Sequence, residues 1–182
     1  VAERIYFSVG CGDDIEYLYS VDLNANVRFE LSVIALYPQS YEPSFVPVNI
    51  TGIFPSGSTT DVFVLIEVRT LNASNGSQDM RISIYRLTAP ETTQLVFERV
   101  YTFDNAIGIT TSNVYPDKSY IAFAGGDQAE ANSYQLIVVN LSNGSISFEQ
   151  SALQVVCDLD LFDGNSLVYE TIPRLNCFAD RF

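Results

Sequence analysis

The side chains that could act as nucleophiles are few in this chain of 182 residues. It contains no histidine and three cysteines, Cys11, Cys157 and Cys177. The lack of histidine excludes triads that use an imidazole base, and it excludes His-ligated zinc and haem sites. Cys11 and Cys177 have few cationic neighbours in sequence that would favour a thiolate, so a structural or disulfide role is favoured over nucleophilic catalysis.

Carboxylates are the remaining candidates for catalysis, because paired Asp and Glu residues hydrolyse glycosides in many enzymes. No pair is distinguished by its spacing, and a carboxylate beside a turn is usually a solvated turn residue. We therefore predict no catalytic residue and a protein that is not an enzyme. The carboxylates considered are Asp117, Asp127, Asp158, Asp160 and Asp163.

Calcium is the cation that such carboxylates would bind, since it prefers several oxygen ligands. Asp158 and Asp160 alternate along a predicted strand and so fall on one face, and Asp163 follows shortly after. The segment does not have the spacing of an EF-hand loop, and acidic residues on a solvated face are the favoured interpretation. We predict no cofactor, and these three aspartates are the candidate ligands if calcium binds.

Five tripeptides match the acceptor pattern for N-glycosylation, which is Asn, any residue but Pro, then Ser or Thr. This number predicts an extracellular or cell-surface chain. Asn-Gly-Ser also suits a tight hairpin turn without any glycan, because Asn and Gly tolerate positive φ, and that alternative stays open. The five asparagines are Asn49, Asn72, Asn75, Asn140 and Asn143.

The three cysteines permit one disulfide and leave one thiol. We expect Cys157 to pair with Cys177, because the residues between them can form one hairpin that returns the second cysteine beside the first. Cys11 is then the free thiol. In the alternative pairing, Cys11 with Cys177, the bond would tie the first part of the chain to the last.

The charge and hydropathy of the chain exclude two kinds of partner. A net charge of −13 with only 9 basic residues argues against nucleic acid, because phosphate binding needs clustered Lys and Arg. No run of about 18 apolar residues is present, so the sequence predicts no membrane span.

The elements that must position these residues are β-strands, because the apolar runs are short, rich in β-branched and aromatic residues, and bounded by turn residues. We predict one all-β domain over 1–182, built from about four antiparallel four-stranded units. In this prediction the first unit lacks its innermost strand and the last lacks its outer hairpin. The predicted units are about 1–42, 43–104, 105–152 and 153–182.

Two similar hairpins carry the repeat. In each of the segments Val21–Glu30 and Val139–Glu149, a strand ends with Val, then Asp or Asn, then Leu. An Asn-containing turn follows, and the returning strand carries Phe-Glu. A third Phe-Glu stands at Phe97-Glu98, after a hairpin that Ala89–Thr93 is expected to lengthen. Continuous apolar runs at Phe63–Ile66 and Leu136–Val139 predict strands that are covered on both faces.

The third unit carries a resemblance to a known family. Tyr115-Pro116-Asp117-Lys118-Ser119-Tyr120, followed by Ile121-Ala122-Phe123 and by Tyr134–Leu141, resembles a blade of TolB-type and WD-repeat-like β-propellers. The likeness covers about 45 residues and no Trp-Asp pair is present. It implies a stack of propeller-like blades and leaves the function open, because propellers host many activities.

The tyrosines offer one further signal, since aromatic side chains can line a carbohydrate-binding or protein-binding surface. Packing between sheets is the favoured role for them, except for Tyr37 and Tyr41, which lie in a Pro-rich connector that we expect to be exposed and available as a contact segment. The tyrosines concerned are Tyr17, Tyr19, Tyr37, Tyr41, Tyr115 and Tyr120.

The two ends of the predicted stack leave unpaired sheet edges, which template pairing with another chain. We expect the tail, through Cys177, Phe178 and Phe182, to insert into a neighbour by strand addition. In a head-to-tail geometry that does not close, this gives a filament. The function predicted is therefore an extracellular structural or adhesive glycoprotein that binds copies of itself or another extracellular protein. The alternative is part of a larger propeller that binds or hydrolyses a ligand such as a carbohydrate.

Glycosylation is directly testable. We expect at least two of the five asparagines to carry glycans, so the native protein should be heavier than its polypeptide by more than one glycan. Intact mass measurement before and after enzymatic removal of N-glycans checks this. A native mass equal to that of the bare polypeptide would contradict it.

Overall fold

The fold is all-β and antiparallel, as predicted. The computed structural model describes residues 4–11, 15–36, 48–56, 61–71, 78–103, 108–115, 117–126, 133–153, 155–162 and 166–172. Within these ranges thirteen strands form four sheets, and no helix is long and apolar enough to cross a membrane.

The chain divides into two compact units, Val1–Asp104 and Asn105–Phe182, and the division falls between the second and third predicted repeats. Each unit contains two sheets whose strands follow one another in chain order. In the first unit, the first sheet is β1 (Arg4–Cys11), β2 (Ile15–Asp22) and β3 (Val27–Ser32), and the second sheet is β4 (Val48–Pro55), β5 (Val62–Leu71), β6 (Gln78–Ala89) and β7 (Thr92–Phe103). In the second unit, the third sheet is β8 (Gly108–Val114), β9 (Tyr120–Gly126), β10 (Tyr134–Asn140) and β11 (Ile146–Leu153), and the fourth is β12 (Val155–Phe162) and β13 (Ser166–Ile172).

The apolar run from Val27 to Leu36 predicts one continuous strand, but β3 ends at Ser32 and Val33–Leu36 forms a short 3-10 helix. The hairpin that Ala89–Thr93 is expected to lengthen closes in a tight turn, because β6 and β7 pair as far as Ala89 and Thr92 and leave Pro90 and Glu91 at the tip. Glu91 reaches this geometry with a φ of 57°.

The repeated hairpin is visible in its hydrogen bonds. Asp22 Oδ1 accepts from the backbone N–H groups of Asn24 and Asn26, both at 2.9 Å, and Asn140 Oδ1 accepts from that of Ser142 at 2.8 Å. In both turns a residue with positive φ donates its N–H back to the first carbonyl, Ala25 to Asp22 and Gly144 to Asn140. Asp22 and Asn140 therefore occupy equivalent positions in the two hairpins.

The central strands are covered on both faces. All four residues of Phe63–Ile66 and all four of Leu136–Val139 are buried, which confirms the prediction from the continuous apolar runs. Alternate residues of β5 pack with Leu18 and Leu31 of the first sheet in one core cluster. In the second unit, Leu136 and Val138 pack with Val156 and Leu159 of the fourth sheet.

The two equivalent turns predict opposite effects of exchanging Ala and Gly. Ala25 has a φ of 61° and Gly144 a φ of 71°, a region that costs an L side chain about 1 to 2 kcal/mol. We expect Ala25→Gly to raise the free energy of unfolding by up to about 1 kcal/mol, and Gly144→Ala to lower it by about 1 kcal/mol. Urea unfolding measures both. Gly10→Ala is the control, since an added methyl group there meets nothing within 4 Å. If Ala25→Gly and Gly144→Ala changed the free energy of unfolding in the same direction, the equivalence of the two turns would be contradicted.

Candidate docking surface on the first sheet

One face of the first sheet is apolar and open to solvent. Strand alternation places side chains from β1, β2 and β3 on this side, and we call them the outer face. Ile5 is 67% exposed and Val27 64% exposed. Eight of its side chains are apolar or aromatic and uncharged: Ile5, Phe7, Val9, Tyr17, Tyr19, Val21, Val27 and Phe29.

The centre of the outer face is a row of aromatic rings that runs across all three strands. Phe7 stacks on Tyr19 with ring centroids 6.0 Å apart, and Tyr19 meets Phe29 edge to face at 5.6 Å. Tyr17 also contacts Phe29, at 6.4 Å. Such cross-strand contacts hold the rings in place, so the row is preorganised before any partner arrives.

The expectation that the tyrosines pack between sheets is wrong for Tyr17 and Tyr19, since both lie half-buried on this open face. Tyr115 and Tyr120 behave differently. Their rings meet edge to face at 5.5 Å, and they pack against the core cluster of the second unit. Tyr37 and Tyr41 lie outside the described residues.

The opposite side of the first sheet is covered. Tyr6, Leu18 and Leu31 pack against the second sheet, in a cluster with Val62, Val64, Ile66, Tyr85 and Leu87. Glu16 adds a polar link, because its carboxylate accepts a hydrogen bond from the backbone N–H of Ile50 in β4. Burial raises the pKa of Glu16, and the hydrogen bond from Ile50 opposes that shift.

A buried carboxylate ties the three strands of the first sheet together. Glu30 on β3 is 1% exposed and accepts hydrogen bonds from Ser20 on β2 and, at 2.8 Å, from Arg28. Arg4 on β1 donates to the Ser20 hydroxyl at 2.6 Å and lies 3.9 Å from the Glu30 carboxylate. The Glu30 carbonyl also accepts from the Glu91 N–H at the tip of the second sheet. The hydrogen bond to Glu30 raises the pKa of Arg28.

A second ion pair lies nearby in the same unit. Arg86 on β6 donates twice to one oxygen of Asp61, at 2.9 and 2.5 Å. Burial, followed by the charge of Glu30, raises the pKa of the Tyr6 hydroxyl, and Asp61 contributes in the same direction. The arginines and carboxylates of this cluster bind one another, so its geometry is that of a structural brace for the first unit.

The predicted glycosylation sites fall in two kinds of place. Asn49 lies within β4, half-buried and opposite Glu67. Asn140 is the last residue of β10 and Asn143 lies in the turn that follows it, and each side-chain oxygen accepts a backbone hydrogen bond, from Ser142 and Ser145 respectively. Asn143 is exposed. Asn72 and Asn75 lie outside the described residues.

The other predicted sites lie mostly at the end of the chain. Cys157 lies in β12 at an irregularity of the register, with Asp158 opposite Glu170 and Asp160 opposite Val168. Cys11 ends β1, opposite Ile15. In the part of the chain that the structure describes, no group of three or more Cys, Asp or Glu residues could hold a metal ion. Besides Asn72 and Asn75, four predicted site residues lie outside the described ranges: Asp163, Cys177, Phe178 and Phe182.

The outer face was not among the sites predicted from sequence. A signal was present, because Ile5, Phe7 and Val9 alternate with Arg4, Tyr6 and Ser8, and the next strand repeats the alternation. Alternation predicts two unlike faces. It does not say that the apolar face is the one left open, since in most sheets the polar face is the solvated one.

The partly buried hydrogen bond between Glu16 and Ile50 predicts a pH dependence of stability. A raised folded-state pKa means that the folded state keeps a proton that the unfolded state has lost, so the free energy of unfolding falls as pH rises from 4.5 through the folded pKa. Glu16→Gln keeps an acceptor for the Ile50 N–H without the charge. We expect this variant to lose that decline and to be more stable than the parent at neutral pH, as measured by urea unfolding from acid to neutral pH.

Asp22→Asn is the control of opposite sign. Hydrogen bonds from Asn26 lower the pKa of Asp22, so its contribution is lost as pH falls through the folded pKa. We therefore expect the Asp22→Asn variant to lose less free energy of unfolding than the parent as pH falls. Equal pH profiles for the parent and Glu16→Gln would contradict the role given to Glu16.

Comparison of the sequence with models of known protein families and with curated proteins finds no match in either set. Function is therefore inferred from the chemistry of the outer face, because a fold by itself hosts many activities.

Proposed function

We propose that this chain is a protein-docking module of an extracellular structural or adhesive protein, and that the outer face of the first sheet is its docking surface. The observation that carries the proposal is one continuous sheet face of eight uncharged apolar and aromatic side chains, of which Ile5, Val9 and Val27 are exposed and the other five half-buried. Contiguous exposed apolar surface on a soluble chain usually marks an interaction site. Aromatic rings of this kind dominate the binding energy of protein interfaces.

The open edge of the first sheet supports the same role. In the described part of the chain β1 pairs with β2 alone, whereas β5 and β9 each have partners on both sides. An unpaired strand edge can accept a strand from a partner. A docking protein could therefore contact both the outer face and the edge of β1.

A second candidate function is part of a larger propeller that binds a ligand such as a carbohydrate. Two observations favour it. The second and third sheets are four-stranded meanders in chain order, and the faces of successive sheets pack together within each unit. Propeller blades have this arrangement. Under this candidate, the outer face would be covered by a further blade.

A photo-crosslinking experiment tests the docking proposal. A photoreactive benzoylphenylalanine in place of Val27, which is 64% exposed, should crosslink to protein when the full chain is placed in extracellular material from its source. The same group in place of Leu95, exposed on β7, is the matched control. We expect adducts from position 27 that are absent from position 95 and that are lost in the Ile5→Lys variant. Equal labelling from the two positions would contradict the proposal.

A further inference from the structure

The internal repeat shows what kind of surface the outer face is. Ile5 pairs with Val21, and Ile121 pairs with Val139, directly before the equivalent turn residues Asp22 and Asn140. The connection between β8 and β9 is closed by a hydrogen bond from the Tyr115 N–H to the Tyr120 carbonyl. An equivalent hydrogen bond, from the Ser56 N–H to the Asp61 carbonyl, closes the connection between β4 and β5. Ile5, Ile121 and Val62 therefore occupy the same position in three sheets.

Extending this alignment along the strands relates the outer face to a buried face of the second sheet. Phe7 and Val9 correspond to Val64 and Ile66, and Tyr19 and Val21 correspond to Tyr85 and Leu87. Those counterparts are buried, at most 8% exposed, beneath the first sheet. In the third sheet the counterparts Ile121, Phe123, Ile137 and Val139 are buried as well. The equivalent of the outer face is therefore covered by a neighbouring sheet in the second sheet, and it is buried in the third.

We propose that the sheet that covers the outer face is the same face of a second copy of this chain, so that two copies form a symmetric dimer. This inference rests on the proposed function, since it names the partner of the docking surface. A two-fold contact needs a self-complementary patch, and an uncharged apolar face can meet that need because no charge on it opposes a like charge on the partner. Two such faces pack about 10 Å apart, with their strands about 30° from aligned.

The outer face of a second copy suits this contact because its apolar and aromatic side chains carry no charge, although each chain has a net charge of −13. A carboxylate buried against aromatic rings without a cation would lose hydration and gain no partner. Pairing two uncharged faces avoids that cost.

The size of the face sets the expected affinity. Three strands about 4.8 Å apart and about eight residues long cover roughly 14 by 26 Å, or about 360 Å² in projection. Each partner in a standard interface buries about 800 Å² of surface, which is more than this face offers. We therefore expect a reversible dimer with a Kd on the order of tens to hundreds of micromolar. Added salt should strengthen it, because salt screens the repulsion between two acidic chains and leaves apolar contacts intact.

Sedimentation equilibrium of the full chain from about 1 µM to about 1 mM, at low and high salt, tests the proposal. We expect a monomer–dimer equilibrium that salt strengthens. Ile5→Lys, at a position 67% exposed in the free chain, should weaken it at least about tenfold by burying a charge in the interface. Val100→Lys on β7, 49% exposed, is the matched control and should leave association unchanged.

Three outcomes would overturn the dimer. One is a chain that stays monomeric throughout the concentration range, and another is a Val100→Lys variant that weakens association as much as Ile5→Lys. The third is a photoreactive group at position 27 that labels only a different protein. That third result leaves the docking proposal standing, whereas a monomer with no specific adduct at position 27 overturns both.

Discussion

Each sheet of this chain needs its apolar faces kept from water, and the rest of the structure follows from how that need is met. In the second sheet the neighbours Val64 and Leu65 point to opposite faces, and both are fully buried. The first sheet meets the need on one side only, through Leu18 and Leu31. Burial of apolar surface contributes about 25 cal/mol per Å², so covering the outer face with a partner would release free energy that folding of the described residues does not.

The charged cluster on the other side explains why the first sheet can present that face in a fixed form. Arg4, Ser20 and Glu30 come from three different strands and meet at one buried carboxylate. A buried ion pair adds little net stability, yet removing one partner leaves a buried charge unsatisfied. The cluster therefore penalises any slip of register in the first sheet. A fixed register on the inner face also fixes Phe7, Tyr19 and the other rings of the outer face.

Much of the fold could be predicted from the sequence because its signals are local. The hairpin at Val139–Glu149 carries its own turn residues, and the run Phe63–Ile66 indicates burial on both faces without reference to any other segment. The outer face could not be predicted in this way. Val21 and Leu87 occupy equivalent positions and have similar chemistry, and Leu87 is buried only because another sheet covers it. Coverage is a tertiary property that residue patterns do not encode.

The chain is strongly acidic but its outer face is uncharged, and this difference affects both the solubility of the chain and the strength of its contacts. A strongly acidic chain stays soluble and repels its copies at a distance, so a bare apolar face need not cause aggregation. Contact at so small a face is weak and quickly reversed. Weak contacts become strong when several act together, since each added link forms at a high effective concentration. An uncharged aromatic face on an acidic carrier therefore suits an adhesive or structural protein, in which many reversible contacts share the load.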